Sequence, residues 1–314
     1  MKILQVVRLI TAMVAVGALT QNALSQPKIT AVVNAASFLP GLPGGGSLAT
    51  IFCSGVVGVK PGTYVASGSP LPYVLGGLSV TINTGLAPML AVVIDSSGNA
   101  QVNFQMPMER DVSFYPTAGQ YTGDLTACGG AVMTQFPVPS EWGAFFADAN
   151  GYAIAQHASD YSLVTPQNPA HPGETLVVYA DDFFPVWPPP PIGFQTPSEP
   201  LFQILPPSQV YFPYQVGSRF AYLYLQTYPQ PICMIGGGCN NSFANTPALT
   251  VTFEGLASGQ IGVEQINFVV PSDQQPGDWA LFFNLGSCPD GSGPPGRCGP
   301  GYGSSSPYVK LPVR

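Results

Sequence analysis

Charge is scarce in this chain. Asp, Glu, Lys and Arg make up 8% of 314 residues, and only nine residues are basic. So few cations cannot build the phosphate-neutralising face that nucleic-acid binding needs, so no nucleic-acid partner is expected. His157 and His171 are the only histidines, and none of the six cysteines sits in a Cys-x-x-Cys pair. That leaves no zinc-type ligand pattern. Gly-x-Ser-x-Gly, His-Glu-x-x-His and a phosphate-cradling glycine loop are all absent, so no catalytic residue, cofactor or metal is assigned and no enzyme is expected. Beyond the first residues, no apolar run reaches the ~20 residues of a membrane-spanning helix.

Glycine (36), proline (35) and short alternating strands are abundant. Gln101-Val102-Asn103-Phe104-Gln105-Met106-Pro107 returns as Gln265-Ile266-Asn267-Phe268-Val269-Val270-Pro271. In both copies apolar residues alternate with amides, the period of a half-buried strand. Leu78–Asn83 precedes the first copy and Leu249–Glu254 the second, and each is followed by Gly-Leu-Ala. The chain therefore reads as all-β, two copies of one β-sandwich unit. The amide face is expected to hydrogen-bond a neighbouring loop or the other unit; the alternative is a functional polar stripe. Asp95–Asn99 and Asp148–Gly151 read as turns rather than calcium loops.

Lys2 and Arg8, an apolar stretch Leu9–Leu19 and Ala23-Leu24-Ser25 form a leader, with cleavage expected before Gln26. The product is expected outside the cytoplasm, secreted or held at the cell surface or in the periplasm, with no transmembrane segment. Without Lys2 and Arg8, 7 basic residues face 16 acidic ones, a net charge of about −9. Six cysteines in an exported chain suggest disulfides: Cys53 with Cys128, Cys233 with Cys239 and Cys288 with Cys298, out of fifteen connectivities.

The expected layout is a leader over 1–25, one sandwich over 26–139, and a second over 140–314 carrying an insertion at 181–245. The boundary falls at Pro137-Val138-Pro139-Ser140. The insertion is rich in proline and aromatics, and Phe220–Leu225 within it reads as a strand. Trp187, Phe194, Tyr211, Tyr214, Tyr222 and Tyr224 are the candidate ligand-binding residues. Such rings either grip a protein or sugar partner or cap the sandwich and fill the space between units. Asp181, Asp182, Glu254 and Glu264 are the carboxylates a hydrolase would need, but no spacing fixes a pair.

Several motifs form one ordered pattern: Asn34-Ala35-Ala36-Ser37-Phe38, Gly76–Val80, Gln101–Pro107, Pro172-Gly173-Glu174, Val178-Tyr179-Ala180 and Gly255–Gly262. Together they resemble the uncharacterised C-terminal module of exported acidobacterial proteins, across almost the whole chain after the leader. The resemblance implies tandem immunoglobulin-like sandwiches and no established activity. Where that pattern has Thr-Gly-Leu-Gly, this chain has Asp181-Asp182-Phe183-Phe184. The expected function is non-enzymatic binding or assembly at the cell surface or beyond, with a protein or polysaccharide partner or with copies of itself. A carbohydrate-binding module using the insertion's aromatics is the alternative, and a cryptic hydrolase the third reading.

Overall fold

The computed structural model describes residues 26–108, 115–117, 120–137, 143–183, 186, 190–203, 219–227, 249–287 and 306–314. Every regular element described is a strand, and every strand pairing is antiparallel. The expected leader and the expected boundary at 138–140 lie outside the described residues.

Unit 1 begins with β1 (Lys28–Asn34), β2 (Leu48–Ser54) and β3 (Gly62–Val65). The short strands β4 (Thr81–Ile82) and β5 (Gly85–Leu86) precede the hairpin of β6 (Met89–Ile94) and β7 (Ala100–Gln105). β8 (Tyr115–Thr117), β9 (Gln120–Ala127) and β10 (Ala131–Pro137) follow. One sheet runs β1-β2-β7-β6-β3; the other runs β10-β9-β4-β5, with β8 also on β9. The alternation read in Gln101–Met106 holds: Val102, Phe104 and Met106 are buried, and with Ile51, Val92, Ile82, Leu125 and Phe136 they fill one core between the sheets. Cys53 of the first sheet is bonded to Cys128 beside the second.

Unit 2 contains β11 (Ala144–Phe145), β12 (Ala155–His157), β13 (Thr175–Asp181), β14 (Arg219–Thr227), β15 (Thr250–Leu256), β16 (Glu264–Val269), β17 (Gly277–Ser287) and β18 (Val309–Val313). One sheet runs β11-β13-β16-β15 with β12 also on β13, and the other runs β14-β17-β18. Its separate core includes Phe145, Val178, Ile266, Phe268, Phe283 and Leu311.

Register fixes how the two units correspond. Ile51 faces Val102 as Val178 faces Ile266, so β2 matches β13 and β7 matches β16. Val92 faces Val102 as Glu254 faces Ile266, so β15 matches β6. This corrects the pairing of Leu78–Asn83 with Leu249–Glu254: β4 lies in the opposite sheet, on β9. Both segments show period two, and alternation does not reveal which sheet a strand joins. A bulge between Val251 and Phe253 shifts the pleat there, so Phe253 stands opposite Asn267 and not on the face of Ile266 and Phe268.

Described parts of the span 181–245 join the fold of unit 2. Within that span, β14 pairs along its whole length with β17 and is part of unit 2's second sheet. Phe183 is buried in unit 2's core, 5.1 Å from Phe145 and 4.6 Å from Phe283 between ring centroids. At its start the insertion therefore belongs to the fold.

Candidate functional site

A groove of about 480 Å³ opens between the units. Its floor is the outer face of the β1–β3 sheet. Val65, Ala91, Asn103 and Thr50 form one cross-strand row over β3, β6, β7 and β2. Thr50 Oγ1 donates to Asn103 Oδ1 at 3.0 Å, and Gln101 Nε2 donates to the same oxygen at 3.1 Å. Asn103 Nδ2 and Gln101 Oε1 then face the groove with no protein partner among the described residues. Phe38 lines the groove from unit 1, and Phe146, Gln195 and Gln260 from the other side. None of the described lining residues carries a charge.

The Phe38 corner is set by Asn34. Asn34 Oδ1 accepts the N–H groups of Ala36 (2.8 Å) and Ser37 (3.0 Å), and the Phe38 N–H returns to the Asn34 carbonyl at 3.0 Å. This turn holds Phe38 at φ 58° with its side chain 54% exposed. A bulky residue in the left-handed region is strained. The same corner recurs in unit 2. The Tyr161 N–H bonds the His157 carbonyl at 2.8 Å, and Tyr161 sits at φ 60°, 65% exposed.

The opposite wall is stitched by the segment after the prolines. Gly193 N–H donates to Gln105 Oε1 (2.7 Å), and Gln105 Nε2 donates to the Gly46 carbonyl (2.7 Å). The Thr196 N–H reaches the Gln260 carbonyl at 2.8 Å. These bonds match the expected structural use of the amide face at Gln105; Gln101 and Asn103 instead open onto the groove. Gly262, at φ 67°, brings the β15–β16 turn against unit 1, where a Cβ would lie 2.8 Å from the Gly46 carbonyl oxygen. Only glycine fits that approach.

Two of the carboxylates considered for hydrolysis, Asp181 and Asp182, serve this joint. Asp181 Oδ1 accepts the Leu48 N–H (2.9 Å) and its Oδ2 accepts from Asn34 Nδ2 (3.2 Å). Asp182 Oδ1 accepts the Gly44 N–H (2.8 Å), and Glu264 accepts the Phe183 N–H at 3.2 Å. Asp181 and Glu264 are buried. Burial, then the neighbouring Asp182 charge and the Glu264 charge, pushes Asp181 well above the usual carboxylate range, against the lowering pull of the Leu48 and Asn34 bonds. Glu254 stands apart: its Oε1 is buried without a hydrogen-bond partner, and burial raises its pKa to about 7. Neither glutamate lines the groove. His157 is buried, bonded to Glu174 Oε2 through Nδ1 at 2.9 Å, and is a packed histidine.

Of the sequence-chosen aromatics, Phe194 is 44% exposed. Tyr222 and Tyr224 stand on β14, in register with Asn284 and Phe282. Trp187, Tyr211 and Tyr214 lie outside the described residues, as do Cys233, Cys239, Cys288 and Cys298. Sequence reasoning missed Phe38, Gln195 and Gln260 as groove residues. The Phe38 motif was noticed as a pattern, but nothing local places residues 38, 101, 195 and 260 around one opening.

No family model matches the sequence, and no curated protein matches it. Among solved structures, it is similar to SGBP-B of a Bacteroides ovatus mixed-linkage glucan utilisation locus, in complex with a mixed-linkage heptasaccharide. That likeness has 10% identity and a TM-score of 0.27, and covers 86% of this chain and 42% of that one. A putative membrane-anchored protein of Corynebacterium diphtheriae is similar at 11% identity and a TM-score of 0.18, over 90% of this chain and 58% of that one. The chain thus spans less than two thirds of either protein, and likeness at these scores fixes neither family nor ligand.

Proposed function

We propose that this is an exported, non-enzymatic binding protein, made of two immunoglobulin-like sandwiches, that holds its partner in the groove between them. The observation that carries the reading is the groove itself: an opening with no charge among its described lining residues, whose floor presents amide groups unpaired among the described residues and whose walls come from both units. Its volume falls within the roughly 300–1,000 Å³ that small-ligand sites span. Export fits the leader and the Cys53–Cys128 bond, since disulfides persist outside the reducing cytoplasm. Absence of catalysis fits carboxylates that are either committed to the joint or outside the groove. The cell surface, or the space beyond it, is where such a protein would meet a polysaccharide or protein partner.

The test is a binding screen of the chain from Gln26 against immobilised polysaccharides and extracellular proteins, beside Ala91→Trp, which fills the groove from an outward-facing strand position. A partner bound by the wild type, lost with Ala91→Trp and recovered chemically unchanged supports the reading. Binding that ignores Ala91→Trp overturns the groove, and turnover of the bound partner overturns the non-enzymatic assignment.

A further inference from the structure

We infer that the partner is an uncharged polysaccharide, and that the chain grips it through a device present once in each unit: an exposed aromatic ring at a left-handed corner. The inference rests on the groove reading above and names its ligand class. Three observations carry it.

The first is the chemistry of the groove. Among the described residues Asn103 Nδ2 has no acceptor and Gln101 Oε1 no donor; the two side chains lie side by side on the floor, with an apolar wall beside them. Hydroxyl groups both donate and accept, and sugar rings carry apolar C–H faces, so a polyhydroxylated ring matches both features. Among the described residues no lysine, arginine, aspartate or glutamate lines the groove, so none of them repays the desolvation of a charged ligand. An anionic polymer or a phosphorylated ligand would find no counter-charge.

The second is the strain at Phe38. The ring is held out, 54% exposed, at φ 58° by a corner whose hydrogen bonds run through Asn34. Burial does not offset that conformation. A flat apolar face presented beside free amides is what stacking on a sugar ring requires.

The third is repetition. Tyr161 occupies the matching corner, with the matching hydrogen bond four residues back, the same sign of φ and 65% exposure. Beside it Gln156 Nε2 donates to the Tyr161 carbonyl at 2.8 Å, and Tyr179 donates its hydroxyl to Gln156 Oε1 at 2.7 Å. Tyr179 faces Gln265, the counterpart of Gln101, across β13 and β16. A feature kept in both units fits a ligand that itself repeats. The short segment in the groove is the main contact, and Tyr161 adds a second contact when the chain is long.

The experiment measures binding of neutral hexasaccharides and the parent polymers (β-glucan, α-glucan, mannan and xylan), with polygalacturonate as the anionic comparison. The variants are Phe38→Gly, Tyr161→Gly and the pair; glycine suits a positive φ, so each removes a ring without straining the corner. Phe38→Gly is expected to weaken hexasaccharide binding by about tenfold or more, while Tyr161→Gly leaves it unchanged. Polymer binding should fall with either change and vanish with both. A neutral glycan bound without regard to Phe38 overturns the inference. So does a ligand of another class, anionic glycan or protein, that Ala91→Trp displaces; that result keeps the groove reading. The absence of any ligand sensitive to Ala91→Trp overturns both.

Discussion

The same strand end meets two fates in the two units. In unit 1 the end of β2 places Cys53 opposite Ala100, and a disulfide to Cys128 ties one sheet to the other. The matching positions of unit 2 hold Ala180 opposite Glu264, followed by Asp181. There Asp181 and Asp182 accept the backbone N–H groups of Leu48 and Gly44 in unit 1. Unit 1 closes upon itself; unit 2 uses the equivalent place to fix its neighbour. The core differs at one matching position too, with Val92 fully buried in unit 1 and Glu254 standing there in unit 2. A repeated strand frame thus dictates where side chains go without dictating what they do.

The largest way to break this contrast is to remove the tie in unit 1. The Cys53–Cys128 bond closes a loop with a sequence separation of 75, for which loop-closure entropy gives about 4.5 kcal/mol. The double change Cys53→Ala/Cys128→Ala should lower the melting of unit 1 and leave unit 2 near its wild-type transition in calorimetry. Both transitions moving together would mean that the joint makes the units unfold as one.

Next in size is Glu254. Its folded pKa of about 7 lies above the ordinary 4.5, so the folded state holds the proton more tightly than the unfolded chain does. The stability this gives is complete below about pH 4.5 and is lost as pH rises through about 7, by roughly 3 kcal/mol. Glu254→Val restores the residue type that unit 1 has at the matching place. It should gain little at pH 4.5 and several degrees of melting temperature at pH 8. A gain that does not depend on pH would show that packing, not the proton, separates the two cores.

The smallest effect probes what the units share. Asp95 accepts the N–H groups of Ser97 and Asn99, and Asp148 those of Asn150 and Tyr152. These hydrogen bonds help hold both carboxyl groups below their usual range. Asp95→Ala and Asp148→Ala should therefore each cost a small and similar lowering of melting temperature, strongest above pH 4. A much larger loss at Asp148 would point to its neighbour Lys310 rather than to the turn.

Much of this was legible beforehand because the cues were local. Alternation in Gln101–Met106 and Gln265–Val270 requires a half-buried strand wherever it is placed, and the Asp95 and Asp148 turns are written in their own side chains. The Cys53–Cys128 pair followed from cysteine count and compartment. The candidate site was not legible in this way. Phe38 belongs to a sequence motif, but the motif does not reveal its exposure or its φ, which come from bonds made by Asn34. Asp181 and Asp182 read as free carboxylates, because their partners Leu48 and Gly44 are more than a hundred residues earlier.

The sequence by itself determined an all-β chain, its repeated strand and turn chemistry, and its poverty in charge, since each depends on residues within a few positions of one another. Tertiary structure alone decided that β15 pairs where β6 does, that the carboxylates build a joint, and that uncharged side chains from distant segments enclose one groove. Those outcomes depend on which surfaces meet when two sandwiches pack, and a period of two carries no information about that.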